Sequence, residues 1–100
     1  MSVIVAGTVR IPPGNLEAFR GQMSDMLAAS RAEPGCLEYS YAVDVEDRGL
    51  VRVFEAWRDQ ADLEAHVRTP HMARWREAWP SFGITDRRLT RYAVTGSTPI

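Results

Sequence analysis

Apolar residues occupy successive positions from Val3 to Val9 (VIVAGTV), so both faces of a strand there are apolar, as in a strand covered on two sides. Pro12-Pro13-Gly14 ends it. Asn15 is placed to cap a helix whose apolar Leu16, Phe19, Met23, Met26 and Leu27 fall on one stripe at helical spacing. Glu33-Pro34-Gly35 stops that helix, since proline lacks the amide donor and glycine tolerates a turn. Leu37 to Val45 and Leu50 to Trp57 (LVRVFEAW) read as the next two strands. Between them Glu46-Asp47-Arg48-Gly49 forms a hairpin loop, with Gly49 expected in the left-handed position. Asp59 caps a short helix, and Thr69-Pro70 ends it and starts another, because proline rejects the preceding helical turn but suits the first position of a new one. Pro80 and Gly83 open the last connection, Arg87 to Val94 is the final strand, and Thr95 to Ile100 is a short tail.

The order β, α, β, β, α, α, β predicts an α+β, ferredoxin-like domain over residues 1–100, with a four-stranded antiparallel sheet and helices over one face. If Val45 pairs with Leu50, then Ala42 lies opposite Val53, Ser40 opposite Glu55 and Glu38 opposite Trp57. This mixed face is expected under the helices, where polar groups among apolar walls make a ligand cleft. The reverse would carry Leu37, Tyr39, Tyr41, Val43, Phe54 and Ala56, too apolar to leave in water, and a partner sheet is the simplest cover.

Composition narrows the function. One hundred residues with 45% hydrophobic and 25% charged fit one soluble core. A net charge of -1 gives no basic field for nucleic acid, and no apolar run approaches the ~20 residues that cross a bilayer. Met1 leads directly into a strand, with no leader segment in view, so a cytoplasmic location is expected. Cys36 is the only cysteine, which excludes an internal disulfide, and no lysine is present for Schiff-base chemistry.

Leu50 to Trp79 concentrates the groups that can meet a ligand: Glu55, Trp57, His66, His71, Trp75, Arg76 and Trp79. Each has a plain packing or solvation alternative. Trp57 at a strand end can be a core anchor, and Trp75 and Trp79 stand at helical spacing. His71 in the first turn of a helix is disfavoured as imidazolium and is a candidate base, while His66 reads as a solvated or capping side chain. The two histidines stand five apart with Thr69-Pro70 between them, a spacing that does not share one helical face, so no metal site is expected. Glu55 is either a general base or half of an ion pair.

The run PGCLEYSYAVDVEDRGLVRVFEAWRDQADLEAHVRTPHMARW resembles the antibiotic biosynthesis monooxygenase family, with its Pro-Gly-Cys strand start, Glu-x-Trp strand end and Pro-His helix start. The resemblance implies a homodimer closing an α+β barrel and oxygenation of a quinol or polyketide-type aromatic without metal or flavin. It places catalytic roles on Trp57 and Arg76, with His71 the candidate base. The same relatives carry Asn, Tyr and His where this chain has Val53, Leu63 and Ala42. These three, with Glu55 and Trp75, are the expected substrate contacts. Haem-degrading relatives need Asn and His where Gly7 and Arg76 stand, which disfavours haem breakdown. A ligand-binding module without turnover and a small-molecule isomerase are the competing classes.

Overall fold

A computed structural model describes residues 1–100. Strands β1 (Ser2–Arg10), β2 (Cys36–Val43), β3 (Leu50–Trp57) and β4 (Thr85–Val94) form one antiparallel sheet in the order β2-β3-β1-β4. Helices α1 (Pro13–Ala18), α2 (Arg20–Arg31), α3 (Gln60–Val67) and α4 (Pro70–Phe82) cover one face, which makes the fold α+β and ferredoxin-like. Val3, Val5, Tyr39 and Trp57 from the sheet pack with Met26 of α2, Leu63 of α3, and Met72, Trp75 and Phe82 of α4. A second cluster joins Val9, Ile11, Val51 and Val53. No helix is long and apolar enough to cross a membrane.

The termini of α3 and α4 follow the sequence. The Asp59 side chain accepts from the Asp62 amide at 2.9 Å, and Thr69 caps α4 with Pro70 at its first position. Elsewhere local chemistry differs from expectation. The first helix is two pieces meeting at Phe19 (φ -108, ψ 14), and Pro12, not Asn15, precedes it. Asn15 instead donates from Nδ2 to the Phe82 carbonyl at 2.8 Å, tying α1 to the end of α4. Pro80 lies inside α4, in its last turn, where few helical bonds remain to be lost. Gly83, at φ 71, ends the helix in the left-handed conformation that glycine adopts without penalty.

The β2–β3 connection is one residue longer than expected. Asp44 donates its amide to the Leu50 carbonyl at 2.9 Å, and its carboxylate accepts from the amides of Glu46 and Asp47, both at 3.0 Å. Asp44 therefore turns the loop, and Gly49 is not left-handed. The pairing becomes Tyr41 with Val53 and Tyr39 with Glu55, not Ala42 with Val53 and Ser40 with Glu55. Because side chains alternate with a period of two, this one-residue shift moves β2 from Glu38 onward to the opposite face, while a bulge at Leu37 leaves Cys36 beside Trp57. Tyr39 and Tyr41 lie under the helices, and the outer face of β2 carries Ser40 and Ala42. The expected outer array of Tyr39, Tyr41 and Phe54 is thus corrected. By register, Phe54 shares the open face with Ile4, Ala6, Ala56 and Tyr92.

Candidate functional site

A cleft of about 640 Å³ opens between the covered face of the sheet and helices α3 and α4. Its walls are mostly apolar: Val5, Tyr39, Tyr41, Leu63, Met72 and Leu89. Two ionisable groups, Glu55 and His66, line it from buried positions, and four exposed arginines, Arg68, Arg76, Arg87 and Arg91, also border it.

Glu55 faces inward because it alternates in phase with Val51, Val53 and Trp57. It is only 6% exposed. Burial pushes its carboxyl above the ordinary 4.5, against the opposing pull of the Trp57 hydrogen bond, His66 and Arg87. Trp57, 0% exposed, stands behind it and donates Nε1–H to Oε1 at 2.9 Å.

His66 is 1% exposed, three residues after Leu63 on the inward stripe of α3. Its Nδ1 lies 2.6 Å from Glu33 Oε2, and the same oxygen lies 2.8 Å from His71 Nε2. An ionised carboxylate only accepts, so both imidazoles donate to it. The other ring nitrogen of His66, Nε2, lies 4.0 Å from Glu55 Oε1 and has no hydrogen-bond partner. Trp57, Glu55, His66, Glu33 and His71 therefore form a polar line running from the cleft floor to the base of α4.

The break at Thr69-Pro70 explains how two histidines five apart converge: each sits on its own helix, and the turn between them re-aims the second. Thr69 Oγ1 closes the corner by donating to the His66 carbonyl at 2.8 Å. This corrects the expectation that the spacing keeps the rings apart. The ligand atoms of Glu33, His66 and His71 lie within 4.8 Å of one another. Their closest separations, 2.6 and 2.8 Å, are those of charge-assisted hydrogen bonds. A tetrahedral zinc would hold such atoms about 3.4 Å apart, so the trio is closed around a shared proton-bearing contact and would have to open to take an ion.

The structure separates the residues expected in the site. Glu55, Leu63 and Arg76 line the cleft, and Arg76 donates to the Val67 carbonyl at 3.0 Å. Trp57 is no aromatic wall, since it is enclosed behind Glu55. Val53 is buried in the second core cluster. Ala42 is exposed on the other side of the sheet. Trp75 packs in the core against Tyr41 and Phe82. His71 and Trp75 border a separate concavity of about 240 Å³ beside α2. Sequence reading set His66 aside as a solvated or capping side chain, and missed Glu33 and the two tyrosines as site groups. The position of His66 on the Leu63 stripe was the available signal for a buried ring. Nothing local marked Glu33, which reads as the end of a helix.

A β carbon at Gly7 would collide with the backbone carbonyl of Arg88 on β4, so an asparagine at that position, as haem-degrading relatives carry, has no room.

The sheet and its helices define a small α+β, ferredoxin-like protein with a buried carboxylate in an apolar cleft. The model of the antibiotic biosynthesis monooxygenase family matches residues 2–78, and the chain belongs to that family. It is 33% identical over 92 residues to an uncharacterized protein of Synechocystis, covering 92% of this chain and 63% of that protein, so it spans less than two thirds of that relative. It is 25% identical over 69 residues to YcnE of Bacillus subtilis, provisionally named a monooxygenase, covering 69% of this chain and 73% of that one. A Deinococcus radiodurans crystal structure superposes with a TM-score of 0.87 at 22% identity, covering 100% of this chain and 98% of the other, a likeness of fold.

Proposed function

We propose that this protein is a monooxygenase that needs neither metal nor flavin and acts on a phenolic, quinol or polyketide-type aromatic. The observation that carries the reading is Glu55, a carboxyl raised by burial at the floor of an apolar cleft, with His66 and Glu33 lined up behind it. Ground-state oxygen reacts with electron-rich anions, so the protein must take a proton from the substrate and hold the anion away from water. In place of His71, Glu55 is the base, and its raised pKa makes it a stronger base than a solvated carboxylate. Trp57 holds it in place. His66 Nε2 is the next polar atom on that line, and closing its 4.0 Å gap to Glu55 by about 1 Å would bring the two to hydrogen-bond length.

For an anthrone-type methylene the balance is complete. Glu55 removes one C–H proton, the carbanion adds oxygen to give a peroxide anion, and the proton returns to it. Loss of water then leaves a carbonyl: one oxygen atom stays in the product and the other leaves as water with both hydrogens. Arg76, at the cleft, stabilises negative charge on the ring oxygen as it develops.

The open face carries Ile4, Phe54, Ala56 and Tyr92, and we infer that a second copy covers it, sheet against sheet.

The test is oxygen consumption by metal-stripped protein over anthrones, naphthoquinols and hydroquinones, with labelled oxygen traced into product. Glu55→Gln should lower turnover at least about a hundredfold, the range for loss of a general base. Arg76→Ala should lower turnover more than affinity. No uptake above the spontaneous rate would remove the oxygenase reading, and a rearranged product without uptake would point to an isomerase.

A further inference from the structure

We propose that the substrate carries a carboxylate, which the cleft arginines recognise while the aromatic body enters the apolar interior. This rests on the reading that the cleft is the substrate site. Of the eight arginines outside the cleft, four are paired with carboxylates, Arg10 with Asp47, Arg20 with Glu17, Arg52 with Asp44 and Arg58 with Asp62, while Arg31, Arg48, Arg74 and Arg88 are not. None of the four that line the cleft has an acidic partner within salt-bridge distance. Three of those four are nevertheless held in place by neutral groups. Arg91 donates to Gln60 Oε1 at 2.6 Å, Arg76 donates to the Val67 carbonyl at 3.0 Å, and the Arg87 guanidinium sits 5.5 Å from the centre of the Trp79 ring. Their positions are fixed and their charges are not neutralised, the arrangement that receives a planar anion.

The acidic groups facing them do not cancel this charge. Glu64 is exposed, its contact being with Gln60, and Glu55 is buried two strands in from Arg91 and hydrogen-bonded by Trp57. The cleft is therefore polarised, with Arg87 and Arg91 on the edge strand β4 and an apolar interior holding the buried carboxyl of Glu55. A substrate whose carboxylate and reactive ring are at opposite ends fits it in one direction only, which would present the ring toward Glu55. Arg87 and Arg91, both on β4, are specificity residues in this reading.

The experiment compares 6-hydroxy-2-naphthoate with 2-naphthol, the same ring with and without the carboxylate at the end away from the hydroxyl, by anaerobic titration of tryptophan fluorescence near neutral pH. The carboxylate should bind at least about tenfold more tightly, as expected for charge-assisted bonds, and its affinity should fall as salt is raised. Arg87→Ala with Arg91→Ala should remove the preference, and an unchanged melting temperature shows that the fold is intact. Equal affinity for the two ligands, or a preference that survives the double substitution, would overturn carboxylate recognition and leave the cleft as the site. If neither ligand binds, the cleft reading itself fails.

Discussion

The two faces of the sheet differ less in how apolar they are than in what surrounds them. On the covered face, Val51, Val53, Glu55 and Trp57 alternate inward and are buried by helices. One charged group among them is enough to create chemistry, because desolvation raises its pKa. On the open face, Ile4, Phe54, Ala56 and Tyr92 lie beside Arg52 and Thr90, and no element of the same chain covers them. A carboxyl there would be solvated and ordinary. The same strand β3 thus builds a site on one side and a candidate interface on the other, and the burial of each side sets its role.

Substitutions on the two sides should therefore fail in different ways. The largest effect is expected from Trp57→Ala, which empties the most enclosed position of the covered face and should cost about 3–5 kcal/mol of stability. Urea unfolding measures it, and a loss under about 1 kcal/mol would mean the core repacks there. Phe54→Glu should leave the protomer folded but raise the dimer dissociation constant more than a hundredfold, about 3 kcal/mol. Sedimentation at micromolar concentration decides this, and a wild-type monomer would withdraw the open face as an interface.

Glu33→Gln should cost about 1–2 kcal/mol, because two imidazoles lose their shared anionic acceptor. If His66 relays a proton, the same change should also alter the pH profile of turnover, which a purely structural contact would not. The smallest effect concerns Glu55 itself. Its pKa is raised in the folded state, so the native protein binds more protons than the unfolded chain just above pH 4.5. Its contribution is fully present below 4.5 and is lost as pH rises through the folded value. Glu55→Gln should remove that downward slope and flatten stability against pH relative to wild type. Parallel curves for the two proteins would show that Glu55 is not buried as described.

Local sequence was sufficient for the order of elements, the Asp59 and Thr69 caps, the Pro70 helix start and the inward phase of β3, because these depend on side chains within a few residues of the backbone they control. The family was also legible, in the Pro-Gly-Cys, Glu-x-Trp and Pro-His segments. The register of β2 was not. The alternation of β2 separates Leu37, Tyr39, Tyr41 and Val43 from Glu38, Ser40 and Ala42, but which set meets the helices depends on the turn, where Asp44 captures two amides and adds one residue. That single step decided whether Tyr39 and Tyr41 met a partner or lined the cleft. The polar line from Glu55 to His71 likewise required the fold. Glu33 stands 33 residues from His66 and 38 from His71, and only the packing of the α2–β2 turn against the break between α3 and α4 makes one carboxylate oxygen serve both rings.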